Sequence, residues 1–310
     1  MPVRNQHPAQ LTVLHLPPAP VTVAPAGTVA ARVDAAYSSL WLSGSGTGGR
    51  SWTMDGEYLR TALATRIGLG AGLEFGVELP FAHTSGGFLD SFVIGYHDTF
   101  GFSDQNRSGT AKDQFGIEAR RNGATVWQVE RSGYELLDVP LSLTWQATDP
   151  ARGLGIALRG GVELPTGAAA RGYGSGETEF ALGALLEQRA LGCGCYGHLQ
   201  HTFAGTPGQA RRADFRFADV TSAGLGVEAP LHDGVEALVQ VEWETSALRD
   251  LDIRVTRRDQ WLLWVGLRLD LGRECDLELG FGEDLQGLVS PDFTAWLAMS
   301  WTPAAPARPR

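Results

Sequence analysis

From about Thr28 to Trp301 the chain alternates apolar and polar residues with a period of two, and that pattern leaves few folds open. In Val235–Glu244 the odd positions are Val235, Ala237, Val239, Val241 and Trp243, and the even ones are mostly Glu and Gln. Leu137, Val139, Leu141, Leu143 and Trp145 share one face, with Asp138, Pro140, Ser142, Thr144 and Gln146 on the other. Trp261, Leu263, Val265, Leu267, Leu269 and Leu271 lie opposite Arg268 and Asp270. A helix would spread these residues around its circumference, whereas a strand sorts them onto two faces. The pattern predicts about twelve strands, near 28–42, 57–69, 72–82, 135–147, 154–164, 178–190, 194–205, 215–229, 234–246, 260–272, 275–284 and 292–301. Most exceed the roughly 5–6 residues of soluble sheets and match the roughly 9–11 that a tilted strand needs to cross a bilayer.

The connections alternate in length. Gly70-Ala71, Thr148–Gly153, Leu191–Cys193, Pro230–Asp233 and Gly272–Glu274 are short; 43–56, 83–134, 165–177, 206–214, 247–259 and 285–291 are mostly longer. An even strand number with short turns at one end and long loops at the other is the outer-membrane pattern, and it places both termini at the periplasmic, short-turn end. Composition agrees. Mean hydropathy is -0.09 and no run of about 18 apolar residues occurs, which excludes a transmembrane helix and leaves a barrel open. The 43% hydrophobic content is too high for a disordered chain. A net charge of -10 gives no basic footprint for nucleic acid. Met1–Pro8 has no apolar core of a signal peptide, so an exported barrel implies that the signal has been removed.

One face of the strands is Val, Leu, Ala, Phe and Trp. The other carries Arg32, Asp34, Arg60, Arg66, Glu74, Glu78, Arg159, Glu163, Glu187, Arg189, Glu228, Glu236, Glu242, Arg268 and Glu278. A soluble β-sandwich would show the same alternation with the aliphatics inside. Strand length, loop asymmetry and strand-end aromatics (Trp41, Phe81, Trp145, Trp243, Trp261, Trp301) favour the membrane barrel, with those aromatics as interfacial girdles. Gly76–Pro80 recurs as Gly161–Pro165 and loosely as Gly226–Pro230, and each proline is expected to close its strand. The first 27 residues, with Pro17, Pro18 and Pro20, form an irregular arm that enters the lumen from the periplasm, and 302–310 is a disordered, proline-rich tail.

The longest loop, 83–134, opens with an unusual segment. Phe88, Leu89, Phe92, Val93, Tyr96 and Phe100 recur at helical spacing and predict a short amphipathic helix, folded into the barrel mouth or lying at the membrane surface. Arg120–Gly123 reads as a hairpin turn. Arg4-Asn5-Gln6-His7-Pro8, Asp55-Gly56-Glu57, Gly86–Gly101 and Arg107 together resemble the domain-of-unknown-function family 3187, proteins of Gram-negative bacteria regarded as outer-membrane β-barrels. The resemblance implies an exported barrel and carries no activity with it. The aromatic last strand, ending at Trp301, is similar to the terminal strand that such barrels present to their assembly machinery.

Two chemistries are open to these residues. His83, Ser85, His97 and Asp98 have the groups of a hydrolase, but catalysis needs a nucleophile beside an oriented base, and no G-x-S-x-G surrounds a serine in this stretch. The bland alternative is that Asp90, His97, Asp98 and Arg107 pin the loop or contact a ligand there. Facing rows of Arg60, Arg66, Glu74, Glu78, Arg159, Glu163, Glu242 and Arg268 either set the field of a pore or brace a filled lumen. Arg211, Arg212, Arg254, Arg257 and Arg258 in long loops suit lipopolysaccharide phosphates or are solvated charge. Cys193, Cys195 and Cys275 match no metal or redox spacing, and no cofactor motif is present. The expectation is an all-β, single antiparallel transmembrane barrel of about twelve strands in the bacterial outer membrane. It would be a channel, or a transport or binding barrel, for a small solute or lipid. An outer-membrane hydrolase and a soluble all-β binding protein are the alternatives.

Overall fold

The computed structural model describes residues 1–101, 107–285, 290–291 and 293–303. Fifteen strands form one antiparallel sheet: β1 (Val29–Gly46), β2 (Arg50–Gly70), β3 (Leu73–Ser85), β4 (Gly116–Arg121), β5 (Ala124–Val129), β6 (Glu135–Leu136), β7 (Val139–Thr148), β8 (Gly155–Leu164), β9 (Glu179–Ala190), β10 (Cys193–Phe203), β11 (Val220–His232), β12 (Val235–Glu244), β13 (Gln260–Gly272), β14 (Cys275–Asp284) and β15 (Phe293–Trp301). Short helices are α1 (Asp90–Phe100), α2 (Gly208–Arg212) and α3 (Arg254–Arg257). β15 pairs with both β14 and β1, and β3 pairs directly with β7, so β1–β3 and β7–β15 close into a twelve-stranded barrel. Closure removes every free edge among the wall strands. It also excludes the two-sheet sandwich.

The faces are sorted as a membrane requires. Leu63, Leu143, Leu182, Leu225, Leu297 and Met299 point outward and stay exposed, while Arg60, Glu163, Glu187 and Glu242 are buried on the inner face. Phe81, Trp145, Trp261 and Trp301 lie on the apolar side, as girdle residues do.

Three expectations need correction. The segment 43–56 is not a loop: the β1–β2 ladder continues through Leu42↔Met54 to Gly46↔Arg50. Leu40, Leu42, Trp52 and Met54 keep the inward parity and are buried; the Gly and Ser between them disguised the strand. The β4–β5 hairpin, turning at Asn122-Gly123 with both residues at positive φ, adds to this extension through Ser51↔Arg120. Residues 215–219 are not strand either, since Phe215 and Phe217 instead join the apolar core over the mouth. Pro80 does not end β3. On one side its ladder with β2 is unbroken, and on the other it falls in the gap between the β7 pairing, which stops at Val77, and the β6 pairing, which starts at Phe81. The missing N–H therefore costs no ladder bond there. Pro230 is likewise inside β11, at a register shift. Residues 304–310 of the tail lie outside the described residues.

Candidate functional site

The lumen is filled by the chain's own N-terminal arm. Residues 1–13 reach the long-loop end, turn, and residues 14–27 run back to the start of β1. The wall holds this return stretch through its carboxylates. Glu179 accepts the Leu14 N–H at 2.7 Å, Glu187 the Val21 N–H at 3.1 Å and Glu74 the Ala24 N–H at 2.7 Å. Gln200 takes the Leu16 N–H, and Arg159 donates to the Pro17 carbonyl. An irregular arm has no ladder of its own, so buried backbone donors need such partners. The fit is close: a Cβ on Gly161 of β8 would come within 2.8 Å of Leu16. Beside Pro2, Arg4, Asp34, Arg60 and Trp296 only about 20 Å³ of cavity remains, room for about one water.

At the long-loop end the arm enters an apolar core. Ala9, Leu11 and Val13 pack with Leu40, Trp52, Tyr58, Trp127, Phe215, Leu248 and Ile253. His7 stacks on Trp52 at 5.3 Å, and Trp52 on Trp127 at 5.9 Å. Gln10 donates to Glu244 and to the Thr245 carbonyl and accepts the Ala247 N–H. Asn5 bonds Gln260. Burial pushes the His7 imidazole down to about 3, and its Nδ1 accepts the Ala9 N–H at 3.2 Å, so the ring sits neutral.

The predicted lumen residues share the inner-face parity, with the Arg189 side chain open to solvent at the short-turn end. Arg60 pairs with Glu78 and Asp34, Arg66 with Glu74, and Arg268 with Glu228, Glu236 and Glu278. Glu242 accepts from Trp264 and Gln240.

The loop residues lie elsewhere, on the outside of the wall. Phe92 and Tyr96 of α1 pack on the outward Phe293 at 5.7 and 5.8 Å, and Phe88 packs on Tyr37. This strap crosses β14, β15, β1 and β2, over the seam where the barrel closes. Glu57, an outward carboxylate only 2% exposed, accepts the Phe88 and Leu89 N–H groups and the Tyr37 hydroxyl. Asp90 takes two bonds from Arg107 and the Asp113 N–H, and Arg107 reaches Ser39. His97 stands 3.9 Å from Glu283, and Asp98 is exposed. The hydrolase candidates are not brought together. His83 on β3 meets Tyr134, whereas His97 meets β14, and three strands intervene, a span of roughly 19 Å. Ser85 lies opposite Glu57. Two of the five loop arginines pair with loop acids, Arg211 with Glu177 and Arg257 with Asp252. The three cysteines are free.

The sequence reading passed over Trp52, Glu179 and the partners of Asn5 and Gln10. Glu179 shares parity with Glu187 and was findable from it; Trp52 lay in the supposed loop.

A closed twelve-stranded antiparallel barrel, apolar outside and charged within, is the outer-membrane class of fold. Over residues 1–302 the chain matches the family described as Protein of unknown function (DUF3187), and it belongs to that family. No curated protein matches. Among solved structures it is similar to the COG4313 outer membrane channel from Pseudomonas putida F1, with TM-score 0.59 at 12% identity over 93% of this chain and 99% of that one. The translocator domain of the autotransporter NalP from Neisseria meningitidis aligns at TM-score 0.45 and 12% identity, over 89% of this chain and 88% of that one. The KdgM porin in complex with disordered oligogalacturonate aligns at 0.45 and 5%, over 88% and 99%. The first of these speaks for the fold.

Proposed function

We propose that the protein is an outer-membrane channel for a small solute, closed at rest by its own arm. The observation that carries this reading is the way the arm is held. It is threaded through a preformed barrel and bound by side chains of the wall, with no strand of its own built into the sheet. Withdrawal of residues 1–27 would leave the ladder of the barrel intact, free the charged lumen, and take Ala9, Leu11 and Val13 out of the apolar core over the mouth. The apolar outer face and its aromatic girdles suit outer-membrane lipid, with the short turns in the periplasm. The test is planar-bilayer conductance of the full chain against a variant lacking residues 2–20. The full chain is expected to be mostly closed and the variant to conduct steadily. A correctly inserted variant as silent as the parent would overturn the reading.

A further inference from the structure

The groups that the arm leaves behind are mostly acidic. Four wall carboxylates take donors from it: Glu244 from Gln10, Glu179 from Leu14, Glu187 from Val21 and Glu74 from Ala24. Glu179 and Glu187 are eight residues apart on β9, roughly 26 Å along a strand, so these carboxylates line the lumen over most of its height. The wall arginines are already occupied by wall acids, Arg60 by Glu78, Arg32 by Glu278 and Arg268 by three glutamates. Among the described residues Arg159 is the wall arginine that gives up a contact, to the Pro17 carbonyl, when the arm moves.

One site within this track points to a cation directly. Glu163 and Glu179 are paired across the β8–β9 ladder, where like charges directly opposite repel. Both are buried on the inner face, Glu163 to 2% exposure. Glu163 Oε2 has no hydrogen-bond partner among the described residues. The arm's Arg4 carries a buried positive charge, its guanidinium held by the arm's own Gln10 and Val13 carbonyls. It leaves with the arm. Narrow, low-dielectric passages lined by one sign of charge concentrate ions of the other. No three metal-ligating side chains come together among the described residues, which suits transit rather than capture.

From these contacts we infer that the lumen selects small cations, organic or inorganic, with the Glu163–Glu179 pair as the selecting step. This rests on the channel reading and adds the sign of the cargo. The test is the reversal potential of single openings in a potassium chloride gradient, for the full chain and for the variant lacking residues 2–20. Each is compared with the double substitution Glu163→Gln and Glu179→Gln, and retained heat-modifiable migration on gels checks folding. Openings are expected to pass potassium several-fold better than chloride, and the double substitution to reduce that ratio several-fold. Openings with no preference, or with anion preference, overturn cation selection while the channel reading stands. No openings in either chain overturn both. If the double substitution misfolds, Glu179→Gln alone, which keeps an acceptor for the Leu14 N–H, gives the same comparison.

Discussion

Two segments outside the barrel wall, the arm within and the strap without, meet the same wall on opposite faces, and they are held differently. The strap ties its two ends to each other and seats them together on the wall. Asp90, Arg107 and the Asp113 N–H close the loop internally, and Glu57 gathers its two leading N–H groups. The arm's first half folds on itself through Arg4, His7 and Thr12, and its return stretch hangs on the wall through separate single contacts, from Glu179 down to Glu74. A segment tied at both ends comes away only as a unit, and a segment held contact by contact can be exchanged for solute and water. The strap therefore reads as structure, covering outward carboxylates that lipid would not tolerate, and the arm as the movable part.

The strongest way to break this contrast is Arg107→Ala. It strands Asp90 under the strap, and removing one partner of a buried ion pair costs about 3–5 kcal/mol. Residues 86–113 should become open to protease and the thermal transition of the barrel should fall, while the arm's closure of the lumen stays as it was. Conductance rising together with protease sensitivity would show that the two segments act as one.

The arm should respond to acid through His7. Neutral His7 has its imidazole pushed down to about 3 by burial, against about 6.5 when the arm is free. The seated arm thus binds fewer protons than the released arm, and seating weakens as pH falls from 6.5 towards 3. Protonation at Nδ1 would also set a donor against the Ala9 N–H. At pH 5 the loss is about 2 kcal/mol. Open probability should rise between pH 7 and 5 in the parent and lose this share of its pH dependence in His7→Asn. Equal pH profiles would remove His7 from the mechanism.

Most of the barrel is legible in the sequence because parity survives burial. Polar residues at most alternate positions, as in Val235–Glu244, mark the face regardless of what fills the lumen. The same parity does not say what the charges touch. Glu187 and Glu74 read as pore lining or bracing, and only the threaded arm shows that they grip backbone. The arm's path itself is hidden, since proline-rich irregular chain takes its shape from its container. The strap was half visible. Helical spacing in Phe88–Phe100 predicts the helix, but its position outside the wall depends on Phe281 and Phe293, which are remote in sequence. Gly87 explains part of the motif: its φ is 78° and a Cβ there would lie 1.9 Å from the Glu57 carboxyl carbon.

The smallest expected effect probes a single rung of the arm's support. In Glu187→Gln the amide oxygen still accepts the Val21 N–H, so the contact persists without its charge. Hydrogen bonds to charged groups contribute about 1.5–3 kcal/mol and neutral ones about 0.5–1.5, so the arm loses about 1 kcal/mol of hold. Closed dwell times of single channels should shorten roughly fivefold, with folding and the strap's protease resistance unchanged. Glu57→Gln makes the matching change outside, where the carboxylate also takes two backbone N–H groups, and should leave dwell times alone. If both substitutions shorten closures equally, the wall transmits strain between its faces and the arm and strap are not independent. If only Glu187→Gln does, contact-by-contact release of the arm is the step that opens the lumen.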